Sequence, residues 1–263
     1  MIRGTAGDTT NETKRSTGAA MSDDPTILSM HSGYDTNGVY TDGFLARPAR
    51  GTGLPGVVLL SGMGGMTWVQ REITRRYARA GFVALSPDYM GEALDSHAER
   101  LRAKNALDVD TAVDRIVGAA AFLRSLPWVG PKGSVGIMGF CLGGGLVLLA
   151  LGRSDAFQSG VVYHHSLFPD DRELDGIDCP LQYHVGTDDH STPRIEIEAF
   201  LKALEQRGKT CELHWYEGMG HSFAQIAPDA DVPKAQKDAT DLSCERSFEF
   251  LARTLAGKTK VTA

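Results

Sequence analysis

The chain has 263 residues, 42% hydrophobic and 23% charged, with a formal net charge of -6. This is the profile of an ordinary globular protein with one large α/β domain or two small ones, and it offers no basic patch for nucleic acid. The apolar runs fall short of the roughly 20 residues a membrane helix needs, and the N-terminus has no apolar core of a secretory leader, so no membrane or nucleic-acid partner is expected.

Cys141, Cys179, Cys211 and Cys244 show no C-x-x-C pair and no zinc-type spacing, so they read as reduced thiols in a cytoplasmic protein. Residues 1–25 are rich in Thr, Gly, Asp, Asn and Ser. They bury too little apolar surface to offset ordering entropy and are predicted to be a disordered tail, with Met21 as an alternative start. Residues 26–263 are predicted to form one domain.

In chain order, Ile27–His31 and Val39–Ala46 flank turn material from Ser32 to Gly38, which predicts an opening antiparallel hairpin. Gly56–Ser61 is a continuous apolar run of the kind buried on both faces of a sheet. A helix over Thr67–Ala80, closed by Gly81, returns to a strand at Phe82–Ser86 and completes a βαβ unit. Helices follow over Ser96–Lys104 and Asp108–Ser125. The strand Ser134–Met138 leads through Gly139–Gly144 into an apolar helix around Leu146–Ala150. Strands at Gly160–His164 and Pro180–Val185, a helix at Arg194–Arg207, a strand at Cys211–Tyr216 and a helix from Lys234 to about Leu255 complete the chain. The alternation predicts a mostly parallel sheet with helices on both faces, with ligands at the carboxyl ends of the strands.

Gly139-Phe140-Cys141-Leu142-Gly143 sits where a strand turns directly into a helix. A residue at that apex points out of the sheet edge over free helix N–H groups, and glycines two positions to either side relieve collisions in the turn. The pattern is the G-x-S-x-G nucleophile elbow of α/β-hydrolases with sulfur for oxygen. On the pentapeptide alone, an inert thiol in a packing turn is an equal reading. A nucleophile also needs a base and an orienting acid. His221, in Gly218-Met219-Gly220-His221-Ser222-Phe223, follows the last strand, and Asp188 and Asp189 follow the strand ending at Val185. The backbone N–H groups of Leu142 and Gly62 are the expected oxyanion hole. Ser61, Met63, Trp68, Tyr89, Tyr163, His164 and Phe223 lie in or beside the same loops, as pocket lining or as ordinary core. His164, His165, His184 and His190 are not expected to gather a metal, because adjacent residues of a strand face opposite sides.

These motifs, with Gly81–Asp88 and Gly186–His190, resemble the dienelactone hydrolase family over nearly everything after the tail. The resemblance implies a single-domain α/β-hydrolase with a Cys-His-Asp triad and no metal or organic cofactor. The family Asp directly precedes a His, which selects Asp189. The family's well-known members carry a Glu where Ser61 stands, and two substrate-gripping Arg residues that align with Glu92 and Gln225. The expected activity is therefore cleavage of a small ester or lactone through a thioacyl-enzyme, on a substrate other than an anionic dienelactone. A hydrolase fold that only binds a ligand or senses oxidation through Cys141 is the rival.

Overall fold

The computed structural model describes residues 26–91, 96–130 and 134–256. The tail expected at 1–25 and Glu92 lie outside these residues.

β1 (Ile27–Thr36) and β2 (Val39–Pro48) pair antiparallel from Ile27 opposite Pro48 to Thr36 opposite Val39. The strands run through most of the expected turn, and the reversal is confined to Asn37 and Gly38. Both have positive φ, 54° and 81°, the backbone a two-residue hairpin requires. β3 (Gly56–Leu60), α1 (Trp68–Arg79) and β4 (Val83–Pro87) form the βαβ unit. Thr67 caps α1 by accepting from the Gln70 N–H. Next come α2 (His97–Ala106), with a Ser96–Glu99 capping box, and α3 (Val109–Ser125), capped by Asp108.

β5 (Val135–Cys141) runs into α4 (Leu142–Arg153) with no residue between them. The sequence places the strand end at Met138, before the glycines, but Gly139 and Phe140 still hold the sheet ladder. β6 (Gly160–His165), α5 (Asp171–Gly176), β7 (Leu181–Gly186), α6 (Arg194–Gln206), β8 (Cys211–Tyr216) and α7 (Lys234–Leu255) follow. The short α5 is absent from the sequence reading, although its Asp170–Glu173 capping box was there to find.

The sheet order is β1-β2-β4-β3-β5-β6-β7-β8, parallel from β4 to β8. Alternating side chains feed two cores. Val58, Leu60, Val135 and Ile137 pack toward α3, α4 and α6, whereas Val57, Leu59, Met138 and Phe140 pack toward α1 and α7. Burial on both faces explains the continuous apolar runs. The fold is that of the α/β-hydrolases, and the loops after β3, β5, β6, β7 and β8 meet at one sheet edge.

Candidate active site

Cys141 stands at the β5–α4 junction with φ 54° and ψ -114°, strained for a residue with a side chain. The glycines on either side are steric requirements of the turn. A Cβ on Gly139 would sit 2.4 Å from the Gly143 carbonyl oxygen, and one on Gly143 would sit 2.4 Å from that of Ser61. The strain costs on the order of 1–3 kcal/mol and is held by the buried packing of α4.

Asp189 and His221 reach the same point from different loops. His221 Nδ1 lies 2.8 Å from Asp189 Oδ2, so this ring N–H donates to the carboxylate and the other nitrogen faces the Cys141 thiol. Asp189 is fixed from behind, since its Oδ1 accepts the N–H of Ser191 at 2.8 Å and that of Thr192 at 3.2 Å. The Thr192 hydroxyl in turn donates to the His165 carbonyl at 2.9 Å, tying the acid loop to the end of β6. Asp188 is exposed and accepts only from Thr187. The His221 loop is anchored where the Gln236 and Thr240 side chains reach the Phe223 carbonyl at 3.2 and 3.0 Å.

The electrostatics single out one thiol. Burial opposes ionisation of Cys141, but the hydrogen bond and charge of His221, the Ser166 hydroxyl and the Leu142 amide outweigh it and bring its pKa down. Burial pushes the other three up, Cys179 and Cys211 to about 12 and Cys244 to about 11. Burial opposes charging of His221 too, yet its bonds to Asp189 and Cys141 raise it to about 9. Asp189, despite its burial, is held below the usual carboxylate value by His221 and the Ser191 N–H. Both shifts favour the thiolate–imidazolium form of the pair over the neutral one.

A cleft of about 620 Å³ opens over Cys141 and His221, and Ser61, Gly62, Met63 and Gln225 line it. A Cβ on Gly62 would sit 3.5 Å from the Gln225 amide nitrogen and 3.5 Å from the Cys141 Cβ, so both side chains crowd Gly62. The aromatic candidates are placed elsewhere. Trp68 is 57% exposed and sits outside the cleft, whose α1 wall is made by Val69 and Gln70. Tyr89 is buried beneath the loop after β3, where its hydroxyl donates to the Ser61 carbonyl at 2.8 Å. Tyr163 and Phe223 are core, Tyr163 bonding Ser247 and Phe223 packing on Tyr163 and Tyr216. Of the two readings left open for these aromatics, core holds for Tyr89, Tyr163 and Phe223, and only for Tyr163, on β6, is strand alternation the reason. His164 occupies a β-bulge opposite the elbow with φ 35°, which swings its buried ring beneath His221 instead of into the cleft.

Ser166 and Phe168 after β6, Ser191 after β7, and Arg100 and Lys104 from α2 also line it, and of these the sequence offers only Arg100, as a cation able to fold into the pocket. The two cations lie on a helix facing the site across the chain, with no local motif to mark them. Among the described residues no helix is long and apolar enough to cross a membrane.

The chain is 31% identical over 219 residues to carboxymethylenebutenolidase 1 of Cupriavidus pinatubonensis, covering 80% of this chain and 90% of that protein. It is 30% identical over 240 residues to a probable 2-oxo-3-(5-oxofuran-2-ylidene)propanoate lactonase of a Bradyrhizobium species, covering 86% and 94%. The crystal structure of a putative dienelactone hydrolase from Klebsiella pneumoniae superposes with a TM-score of 0.76 at 19% identity, over 87% of this chain and 99% of that one. The family model for dienelactone hydrolases matches residues 41–255, and the chain belongs to that family of α/β-hydrolases.

Proposed function

We propose that this chain hydrolyses a small ester or lactone through Cys141, with His221 as proton carrier and Asp189 as its orienting partner. The observations that carry the reading are the His221–Asp189 hydrogen bond, the opening of Cys141 and His221 onto one cleft, and the lowered pKa of that one thiol of four. The Cys141 thiolate attacks the carbonyl carbon and forms a tetrahedral oxyanion, held by the Leu142 and Gly62 amides. Collapse breaks the C–O bond, the His221 imidazolium gives its proton to the leaving oxygen, and a thioester remains. The now neutral imidazole takes a proton from water as the water attacks the thioester, and Cys141 leaves. Asp189 keeps the imidazole in the tautomer this needs and stabilises its charged form. Neither step calls for a cofactor.

The names of the two relatives, a butenolidase and a lactonase, support a lactone or ester as the bond cleaved. Gln225, a neutral amide in the same cleft lining as Cys141, favours a neutral acyl group there, while Arg100 and Lys104 make the α2 wall cationic. The reading places one domain over residues 26–263 and the enzyme in a reducing, cytoplasmic setting that keeps Cys141 free. Hydrolysis of p-nitrophenyl acetate by the wild type and its loss in Cys141→Ala is the test. Equal turnover in both would refute the nucleophile, and absence of turnover in both would leave a ligand-binding hydrolase fold.

A further inference from the structure

His164 has no task in the hydrolytic reading, yet it sits in the middle of the site. Its ring is fully buried, and among the described residues neither ring nitrogen meets a partner at hydrogen-bond distance. Its centroid lies 4.2 Å from that of His221, with the planes 56° apart. A buried imidazole with two unpaired nitrogens is costly and is retained at a strained, positive-φ position. One ligand atom from each of His164, Asp189 and His221 lies within 4.8 Å of the other two.

We propose that His164, His221 and Asp189 form an inhibitory site for a zinc-type divalent cation. Two imidazoles and one carboxylate are a zinc donor set with bonds of about 2.0–2.2 Å, which at tetrahedral angles puts ligand atoms about 3.3 Å apart. Asp189 Oδ1 is committed to two backbone N–H groups, which leaves Oδ2 to turn from the imidazole to the metal. His221 lines the open cleft, so the cation has a way in, and a solvent molecule takes the fourth position.

Such a cation uses the imidazole and carboxylate on which proton transfer depends, so occupancy and turnover exclude one another. The Cys141 sulfur is outside the clustered ligand atoms. That separates this site from the ordinary poisoning of a reactive thiol, where zinc sits on the sulfur. Zinc inhibition in this chain is reversible and is set by His164, a residue the reaction itself does not consume.

The inference goes beyond the hydrolase reading, and its test reads binding directly, so it stands or falls whether or not esters are turned over. Chelator-treated full-length protein is titrated with zinc chloride by calorimetry at neutral pH, using wild type, Cys141→Ala and His164→Phe, with circular dichroism on each. Wild type and Cys141→Ala are expected to bind one equivalent about equally tightly, and His164→Phe at least about tenfold more weakly, the usual cost of losing one of three protein ligands. If His164→Phe loses the native spectrum, His164→Gln carries the same expectation. In the p-nitrophenyl acetate assay, zinc inhibition of the wild type is reversed by a chelator. Equal affinity of wild type and the His164 variant would overturn the proposal. So would loss of binding in Cys141→Ala, which would move the metal onto the thiol.

Discussion

At the level of single residues, the site is a balance of burial against pairing. Burial alone would keep Cys141 protonated, as it does Cys179, Cys211 and Cys244, and the difference is the imidazole, the Ser166 hydroxyl and the first amide of α4. Iodoacetamide at neutral pH should therefore modify Cys141 well before the other three; mass mapping that shows another cysteine labelled first contradicts this assignment. The pH dependence follows from the same pairs. Activity should rise on the acid side as Cys141 loses its proton, below the ordinary thiol value, and fall as His221 loses its proton near pH 9. Asp189 raises His221, so Asp189→Asn should lower kcat by about a hundredfold or more and move the falling limb to lower pH. Asp188→Asn, on an exposed carboxylate, should do neither, and a kcat/KM profile of each variant checks both. That Cys141, His221 and Asp189 would meet at one sheet edge was legible from the elbow, the chain order of the loops and the Asp-His dipeptide. His164 was not legible as a neighbour of His221, because its placement depends on a bulge that moves one residue out of strand alternation.

At the level of elements, the site is held by contacts that strand and helix patterns do not announce. The loop after β3 carries the Gly62 amide, and it is supported from below by the Tyr89 hydroxyl on the Ser61 carbonyl. Tyr89→Phe leaves that buried carbonyl short of a donor, at about 1–3 kcal/mol. The expected results are a Tm lower by a few degrees and a larger fall in kcat than in KM, since the oxyanion forms only after substrate is bound. An unchanged Tm and kcat would remove Tyr89 from this role. Apart from α4, read short at both ends, and α5, which was missed, the helices were read within a residue or two because their signals are written locally. Thr67, Ser96 and Asp108 cap α1, α2 and α3, and Gly81 follows α1 with φ 99°. β1 was read too short because Ser32 and Gly33 look like turn residues, yet pairing with Gly43 and Asp42 keeps them extended.

At the level of the whole molecule, the sheet order brings the loops of five strands to one edge and sets the walls of the cleft. Sequence alternation was enough for that architecture, because strands buried on both faces between helices leave few other arrangements. It was not enough for the cleft's charge, since Arg100 and Lys104 arrive on α2 from a distant part of the chain. With the neutral Gln225 in the cleft that holds the thiol, matched esters differing only by a carboxylate on the acyl group should show kcat/KM favouring the neutral member by about tenfold or more. Preference for the anion would assign Arg100 and Lys104 to gripping it. The central claim, that hydrolysis passes through a thioester on Cys141, is tested most directly by rapid acid quench of the enzyme during p-nitrophenyl acetate turnover, followed by peptide mass mapping. The account predicts one acetyl group on the peptide containing Cys141, absent from Cys141→Ala together with the activity. Turnover by Cys141→Ala at the wild-type rate, or an acetyl group found only on another residue, would contradict it.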